Sequence, residues 1–247
     1  MTAKPTMRFI DIHHHIIYGV DDGPQTLEES KQMLALAYAD GTRDIIATPH
    51  FVPMGCFPDI ALLQERLAEL NIICATEYPG LRLHLGAEVF FGEGVQRRLR
   101  TGIIPTLAGS DHVLVEFTPN VTKNNLENAI RHLTSGGYVV ILAHSERYPA
   151  ITHDIQFLQY IKEKYGTLIQ VNADTFLSRQ SFFLKRFLKK TLQLGTIDFI
   201  ASDAHGTQHR VTKLSSTYNA LLMNHDKLEV LKMMRNTANN LFIHRLI

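Results

Sequence analysis

An α/β fold of parallel strand–helix units, closing into a barrel, is what this sequence predicts. Short β-rich runs alternate with longer amphipathic stretches about seven times, as successive parallel βα units do. Histidines and acids recur where those runs end, as expected if the strand ends share one rim. The chain has 247 residues, 45% of them hydrophobic, which is enough for one large core and ordinary for a single barrel. No Pro/Gly/Ser-rich linker, repeat or low-complexity stretch marks a boundary. Residues 1–247 are therefore expected to form one domain, with 1–6 as a disordered or peripheral tail.

The first strand is expected over 8–12, and the others over 44–47, 82–87, 112–116, 138–143, 167–171 and 198–201. Helices fill the gaps. The first has the plainest start: Thr26 and Glu29 stand at capping-box spacing, Met33, Leu34 and Ala37 carry the apolar side, and Gly41 stops it. Further helices are expected around 60–77, 124–135, 155–165, 182–194 and 227–239. On this map His13 and His15 follow the first strand, His50 the second and Glu88 the third. Glu116 ends the fourth, His144 follows the fifth, and Asp203 with His205 follows the seventh. In a parallel barrel these positions converge on one rim, however far apart they lie in the chain.

His13 and His15 are two apart, and on an extended chain that spacing turns both rings to one side while His14 faces away. Such a pair is a weak signal in a chain with 13 histidines, and His50, His144 or Glu116 taken singly would be an ordinary satisfied polar group. Their conjunction weighs more. Histidines and acids ending hydrophobic strands, with Ser202-Asp203-Ala204-His205 after the apolar 197–201, would crowd charge on one rim without compensation. Divalent cations supply that compensation. Mixed imidazole and carboxylate ligation suits Mn²⁺, Fe or Zn²⁺ better than Ca²⁺ or Mg²⁺, and several carboxylates imply more than one ion. Metal-bound water, its pKa lowered to about 7, makes hydrolysis the natural chemistry.

Other classes are disfavoured. The formal charge is +1, so no global field draws the chain to nucleic acid or an anionic membrane, and any anion must be captured locally. No apolar run approaches the roughly 18 residues of a spanning helix, and 1–5 lacks a signal-peptide core, which leads to the expectation of a cytoplasmic protein without membrane insertion. Cys56 and Cys74 are expected to be reduced thiols. A cysteine phosphatase needs an arginine after about five intervening residues, and that spacing reaches Leu62 from Cys56 and Gly80 from Cys74.

The segments His13-His14-His15, Gly19-Val20-Asp21-Asp22-Gly23-Pro24, Ala47-Thr48-Pro49-His50, Ala143-His144-Ser145-Glu146-Arg147 and Ala201-Ser202-Asp203-Ala204-His205 occur in a telling order and spacing. Together they resemble the polymerase and histidinol phosphatase (PHP) superfamily, in particular the PHP-type bacterial protein-tyrosine phosphatases of capsule and exopolysaccharide operons. The likeness runs from about Met7 to near the C-terminus. It implies a distorted TIM-like (β/α)7 barrel, the PHP fold, with three divalent ions, manganese foremost, iron, zinc or magnesium as alternatives. One ion would be held by His13, His15, Glu88 and Asp203, a second by Glu88, Glu116 and His144, and a third by Asp22, His50 and His205, with Glu88 as the bridge. Of the neighbours Asp21 and Asp22, the family pattern favours Asp22, and Asp11 would orient a ligand histidine. Two arginines, Arg147 and Arg210, would hold the phosphate through their planar forks.

The resemblance further implies a substrate, the phosphotyrosine tail of a bacterial tyrosine kinase that controls polysaccharide export. A phenolate with pKa near 10 leaves more readily than an alkoxide. Three departures bear on the substrate mouth rather than the ligands: His14 stands where a small residue is usual, Phe51 where a second histidine is common, and Ser145 where proline is usual. Phe51, Phe57, Phe90 and Phe91 are candidates to flank a tyrosine ring. The rival readings are a small-molecule phosphatase of the same superfamily, acting on histidinol phosphate or a sugar phosphate, and a noncatalytic metal-binding module that docks the kinase. A nuclease is disfavoured by the lack of a basic stripe or an aromatic stacking platform.

Overall fold

The computed structural model describes residues 8–52 and 57–242; the expected tail 1–6 and Cys56 lie outside them. The strands are β1 (Phe9–His14), β2 (Thr42–Ala47), β3 (His50–Phe51), β4 (Arg82–Leu85), β5 (Glu88–Phe90), β6 (His112–Glu116), β7 (Val139–Leu142), β8 (Leu168–Asn172) and β9 (Phe199–Ala201). The helices are α1 (Leu27–Ala39), α2 (Ile60–Glu77), α3 (Val95–Arg100), α4 (Lys123–Ser135), α5 (Pro149–Thr152), α6 (Ile155–Tyr165), α7 (Phe182–Gln193), α8 (Leu214–Leu222), α9 (Lys227–Leu231) and α10 (Thr237–Asn239). All strand pairs are parallel, in a three-stranded sheet β1-β2-β4 and a six-stranded sheet β3-β5-β6-β7-β8-β9. The sheet curls back on itself: Asp203 N donates to His13 O and His15 N donates to Ala204 O, both at 2.9 Å, so the exit of β9 meets the exit of β1. The result is a mixed α/β fold around a curled parallel sheet.

Alternation along the strands builds two apolar layers. Ile45, Val113, Val140, Leu142 and Ile200 face outward and pack with helix residues such as Leu34, Leu63, Ile130 and Ile161. Ile10, Ile12, Ile46, Leu114, Ile141 and Phe199 face the other way and join into one cluster, so strands from opposite sides of the curl meet inside it. The capping box expected at the first helix is present: Thr26 Oγ1 accepts from Glu29 N, and Glu29 reaches back to Thr26 N.

Two breaks in the strands set the direction of side chains at the rim. The run expected as one strand over 82–87 divides at Gly86: β4 pairs with β2 up to Leu85 opposite Ala47, and β5 pairs with β3 from Glu88 opposite His50. A Cβ at Gly86 would lie 2.7 Å from Ile46 Cγ2 and 2.8 Å from Leu107 Cδ2, so only glycine passes through this crossing. Thr48-Pro49 breaks the neighbouring strand at the matching level. Both strands are re-aimed just before His50 and Glu88.

Three helices, α3, α5 and α8, lie outside those the sequence pattern predicts, and a fourth differs in form; α5, led by Pro149, has only four residues. α3 has six residues, too few to show a period, and starts from Gly94 at φ 76°. α8 buries Leu214, Thr217, Tyr218 and Leu221 at helical spacing, but its small polar residues dilute the signal and no side chain caps it. The helix expected over 227–239 is interrupted by a π-helical turn, Lys232–Asn236. Among the described residues no helix is long and apolar enough to cross a membrane. Among the described residues Cys74 is in no disulfide; it is buried, and burial pushes its thiol up to about 12.

Candidate metal centre

The site begins with a bulge in β1. Asp11 pairs with Ile45 and His14 with Ala47, so three steps on β1 match two on β2. An extra residue reverses which side chains face the interior. Ile10 and Ile12 belong to the inner apolar cluster, and past the bulge His13 and His15 turn toward the polar rim. His14 faces away, fully buried, with no hydrogen bond to either ring nitrogen, and burial pushes its pKa down to about 3.

The strand ends bring the expected residues together. His13 Nε2 lies 3.1 Å from Glu88 Oε2 and 3.2 Å from Asp203 Oδ1; His15 Nε2 lies 3.2 Å from the same Glu88 oxygen. His50 Nδ1 is 3.2 Å from Glu88 Oε2 and 3.1 Å from Glu116 Oε1. His144 Nε2 is 2.8 Å from Glu88 Oε1 and 3.6 Å from Glu116 Oε2. Asp22, whose side chain is 62% exposed, places Oδ1 3.3 Å from His50 Nε2 and 3.2 Å from His205 Nε2. Three sets each offer ligand atoms within 4.8 Å of one another: His13, His15, Glu88 and Asp203; His50, Glu88 and Glu116; and His15, Asp22, His50 and His205. Arg147 Nη2 meets Asp203 Oδ2 at 2.8 Å and Arg210 Nη2 meets Asp203 Oδ1 at 2.6 Å, with side chains 44% and 38% exposed, so both stand at the mouth.

Charge in this cluster is balanced by protons. Burial would push His15 down, but hydrogen bonds to Asp21 and Glu88 outweigh it and lift His15 to about 10. Burial opposes His144 likewise, yet hydrogen bonds to Glu116 and Glu88 lift it to about 9. Glu88 is held well below the carboxylate range: burial raises it, yet the charge and hydrogen bonds of His13, with bonds from His144 and His15, prevail. Asp203 is lowered as well, since burial raises it less than attraction to His13 and Arg210 brings it down. His205 goes the other way, to about 4, through burial and the charges of His15 and Arg210.

Several supporting residues carry little signal in the sequence. Gln170 Oε1 accepts from His144 N at 2.6 Å and lies 3.3 Å from His13 Nδ1. Gln170 also donates to Asn172 Oδ1, and Asn172 Nδ2 donates to Asp203 Oδ2, each at 2.8 Å. Amides two apart in the otherwise apolar β8 are the one clue a sequence offers. Tyr148 Oη accepts from Phe117 N at 3.1 Å and stands 3.2 Å from His144 Nδ1, which turns the other ring nitrogen to Glu88. Asp21 is not a solvated turn acid: its Oδ2 lies 2.7 Å from His15 Nδ1 and accepts from His50 N at 3.1 Å. It orients a histidine, the role expected of Asp11. Asp11 instead binds backbone, accepting from Ser202 N at 3.0 Å and His13 N at 3.4 Å, because β1 carries its side chain to the returning 202–204 segment. Phe51 is wholly buried against the core and is not a mouth residue, whereas Phe90 and Phe91 line cavities of about 420 and 590 Å³. Phe57 lies under the Arg98 guanidinium, 4.7 Å away.

The backbone is strained here. His144 (φ 30°), Asp203 (φ 53°) and Arg210 (φ 49°) all occupy the left-handed region without being glycine. Such residues cost about 1–3 kcal/mol each and persist where surrounding contacts impose them. The donor set suits a cation. Glu88 Oε2, His50 Nδ1 and His205 Nε2 are buried without a well-angled hydrogen bond, although other polar atoms lie near 3 Å. Beside the pairs that His144 makes with Glu88 and His15 with Asp21, these three atoms leave imidazole and carboxylate donors facing shared space, the mixed set that borderline divalent metals accept.

Comparison with known proteins agrees with this geometry. Residues 9–243 match the family model described as capsular polysaccharide synthesis, CpsB/CapC. The chain is 30% identical over 210 residues to a putative tyrosine-protein phosphatase, CapC, of Staphylococcus aureus, covering 85% of this chain and 82% of that one. It is 26% identical to the tyrosine-protein phosphatase CpsB of Streptococcus pneumoniae, over 96% of this chain and 100% of the relative. Among solved structures it superposes with a TM-score of 0.82, at 26% identity, over 95% of this chain and 93% of the other. That match is from the crystal structures of YwqE from Bacillus subtilis and CpsB from S. pneumoniae, described as unique metal-dependent tyrosine phosphatases.

Proposed function

The chain belongs to the CpsB/CapC family of capsular polysaccharide synthesis proteins, and on that premise we propose that it is a metal-dependent protein-tyrosine phosphatase. The observation that carries this reading is Glu88 Oε2, ringed by imidazole nitrogens of His13, His15 and His50 at 3.1, 3.2 and 3.2 Å. The whole chain, 1–247, acts as one domain, a distorted (β/α)7 barrel in the cytoplasm. Its substrate is the phosphotyrosine tail of a bacterial tyrosine kinase that regulates polysaccharide export.

His13, His15, Glu88 and Asp203 would hold one divalent cation, Glu88, Glu116 and His144 a second, and Asp22, His50 and His205 a third, manganese being favoured. His50 also reaches Glu88 and Glu116, so it stands between the second and third sets. Bound, such ions supply Lewis acidity, acidify water to a pKa of about 7 and neutralise phosphate charge. The chain's own residues do the rest. Arg147 and Arg210 each spend one nitrogen on Asp203, and Nη1 of Arg210 also lies 3.6 Å from Asp22 Oδ2; both forks are half-exposed, and they would turn toward the phosphate oxygens and hold phosphorus in line for attack. Asp21, Gln170 and Tyr148 lock the rings of His15, His13 and His144, so the donor atoms stay aimed as phosphate enters and leaves. Phe90 and Phe91, following Glu88 out of β5, offer flat apolar walls to a phenyl ring. The phenolate, with a pKa near 10, departs without a strong acid beside it.

The test is phosphate release by the manganese-loaded protein from phosphotyrosine peptides, histidinol phosphate and sugar phosphates. kcat/KM should be highest on the peptides. Arg147→Ala should keep its metal, measured by elemental analysis, and lose about a hundredfold or more in kcat, as expected for one transition-state charge donor. A metal-loaded protein that leaves the peptides intact would defeat the proposal.

A further inference from the structure

The formal charge of +1 conceals a local asymmetry. Between Asp174 and Asp198 the chain carries Arg179, Lys185, Arg186, Lys189 and Lys190 and no acid. All these cations are exposed, and none takes part in the ion pairs among the described residues. α7 buries Phe187, Leu188 and Thr191 against the core, and Ser181 caps it. Its first two residues do the opposite: Phe182 is 74% and Phe183 61% exposed, and Leu177, just upstream, is 40% exposed. Phe183 stands beside His153, ring centroids 5.4 Å apart, over a groove of about 660 Å³ whose walls include Gln156, Arg186, Lys189 and Lys190; the one acid in that wall, Asp154, is paired with Lys123.

We propose that this face of α7 is a docking site for an anionic lipid bilayer, with Phe182 and Phe183 entering the headgroup boundary and the lysines and arginines meeting lipid phosphates. Exposed phenyl rings beside unpaired cations on an otherwise seated helix are the features of interfacial binding. Each cation near an anionic leaflet adds to the attraction, and the effect is screened by salt. A specific protein interface sets its register with charges of both signs, and this stretch has only one. α7 packs against the 145–147 turn, which carries Arg147, so the helix lies beside the rim that carries the polar cluster. A protein seated this way presents its mouth to substrates held close to the membrane.

The experiment is co-sedimentation of the full chain with vesicles of phosphatidylcholine alone or mixed with phosphatidylglycerol. It does not depend on the phosphatase reading, because it measures binding and not turnover. The expected result is binding to the mixed vesicles at least about tenfold above that to neutral ones, weakened by salt. Arg186→Glu/Lys189→Glu/Lys190→Glu should abolish it, and Phe182→Ser/Phe183→Ser should reduce it about tenfold. Circular dichroism should be unchanged in both variants, since every altered side chain is exposed. Equal sedimentation with both vesicles, or a serine variant that binds like the parent, overturns the proposal. So does capture on immobilised polyglutamate as strong as on vesicles and indifferent to the two phenylalanines, which would assign the face to an acidic protein instead.

Discussion

Ile12 and His13 are neighbours on β1, 1% and 0% exposed, yet their burial is stabilised by different means. Ile12 lies with Leu114, Ile141 and Phe199 in the floor of the curl, where removing an aliphatic side chain from water contributes about 1.5–3 kcal/mol. His13 lies among Glu88, Asp203 and His15, where ions withdrawn from water cost several kcal/mol each unless opposite charge accompanies them. The floor is complete as it stands. At the rim Asp21, Glu88 and Glu116 raise His15 and His144 above their ordinary range, positive charge beside the carboxylates that divalent cations would also supply. One residue of bulge separates the two regimes.

The sharpest way to break this comparison is at its shared oxygen. Glu88→Gln keeps the shape and removes the bridging charge; activity on a phosphotyrosine peptide should fall about a thousandfold, the worth of several kcal/mol of charge stabilisation, with metal content reduced in elemental analysis. A variant with full metal and full activity would show that Glu88 is not a bridge. The raised histidines provide the next effect. Because His15 and His144 sit above their ordinary values, protons compete for their nitrogens at neutrality, so metal affinity should rise with pH. Calorimetric titration with Mn²⁺ between about pH 6.5 and pH 8 should show at least about tenfold per unit, one proton being released for each histidine that takes up metal. A flat profile would mean that those nitrogens bind no cation. Stability tests the comparison from both sides. Ile141→Ala in the floor should cost about 2–5 kcal/mol in both metal-free and metal-loaded protein, whereas chelation alone should remove about 3 kcal/mol when metal had stood near a hundred times its Kd. Thermal melts of parent and variant, with and without chelator, would separate the two contributions; an Ile141 effect that depends on metal would mean that floor and rim are not distinct.

Much of this architecture is legible along the chain alone. α2 and α6 span 60–77 and 155–165 as expected, β6 spans 112–116, and the capping box at Thr26 forms, because strong local periodicity meets no competing tertiary demand. The ligand candidates are legible as well, since packing alone seldom places histidines and acids together at the ends of apolar runs. The residues that hold them are not. Gln170 and Asn172 are amides whose purpose appears only when β8 lies beside the exits of β7 and β9, and Asp21 is told from Asp22 only by which one turns toward His15. The run through Gly86 reads as a continuous strand because the cause of its break, the side chains of Ile46 and Leu107, lies far off in the chain.

What the sequence by itself determined is the alternation of strand and helix, the apolar faces, and a set of candidate metal-binding side chains placed where strands end. These are written in local order, since each depends on residues a few positions apart. Only the tertiary structure decided the bulge that turns His13 and His15 inward, the kinks that aim His50 and Glu88, and the seating of Asp21, Gln170 and Tyr148 against the histidine rings. Those depend on which distant atoms come to touch, and a pattern read along one dimension does not contain such contacts.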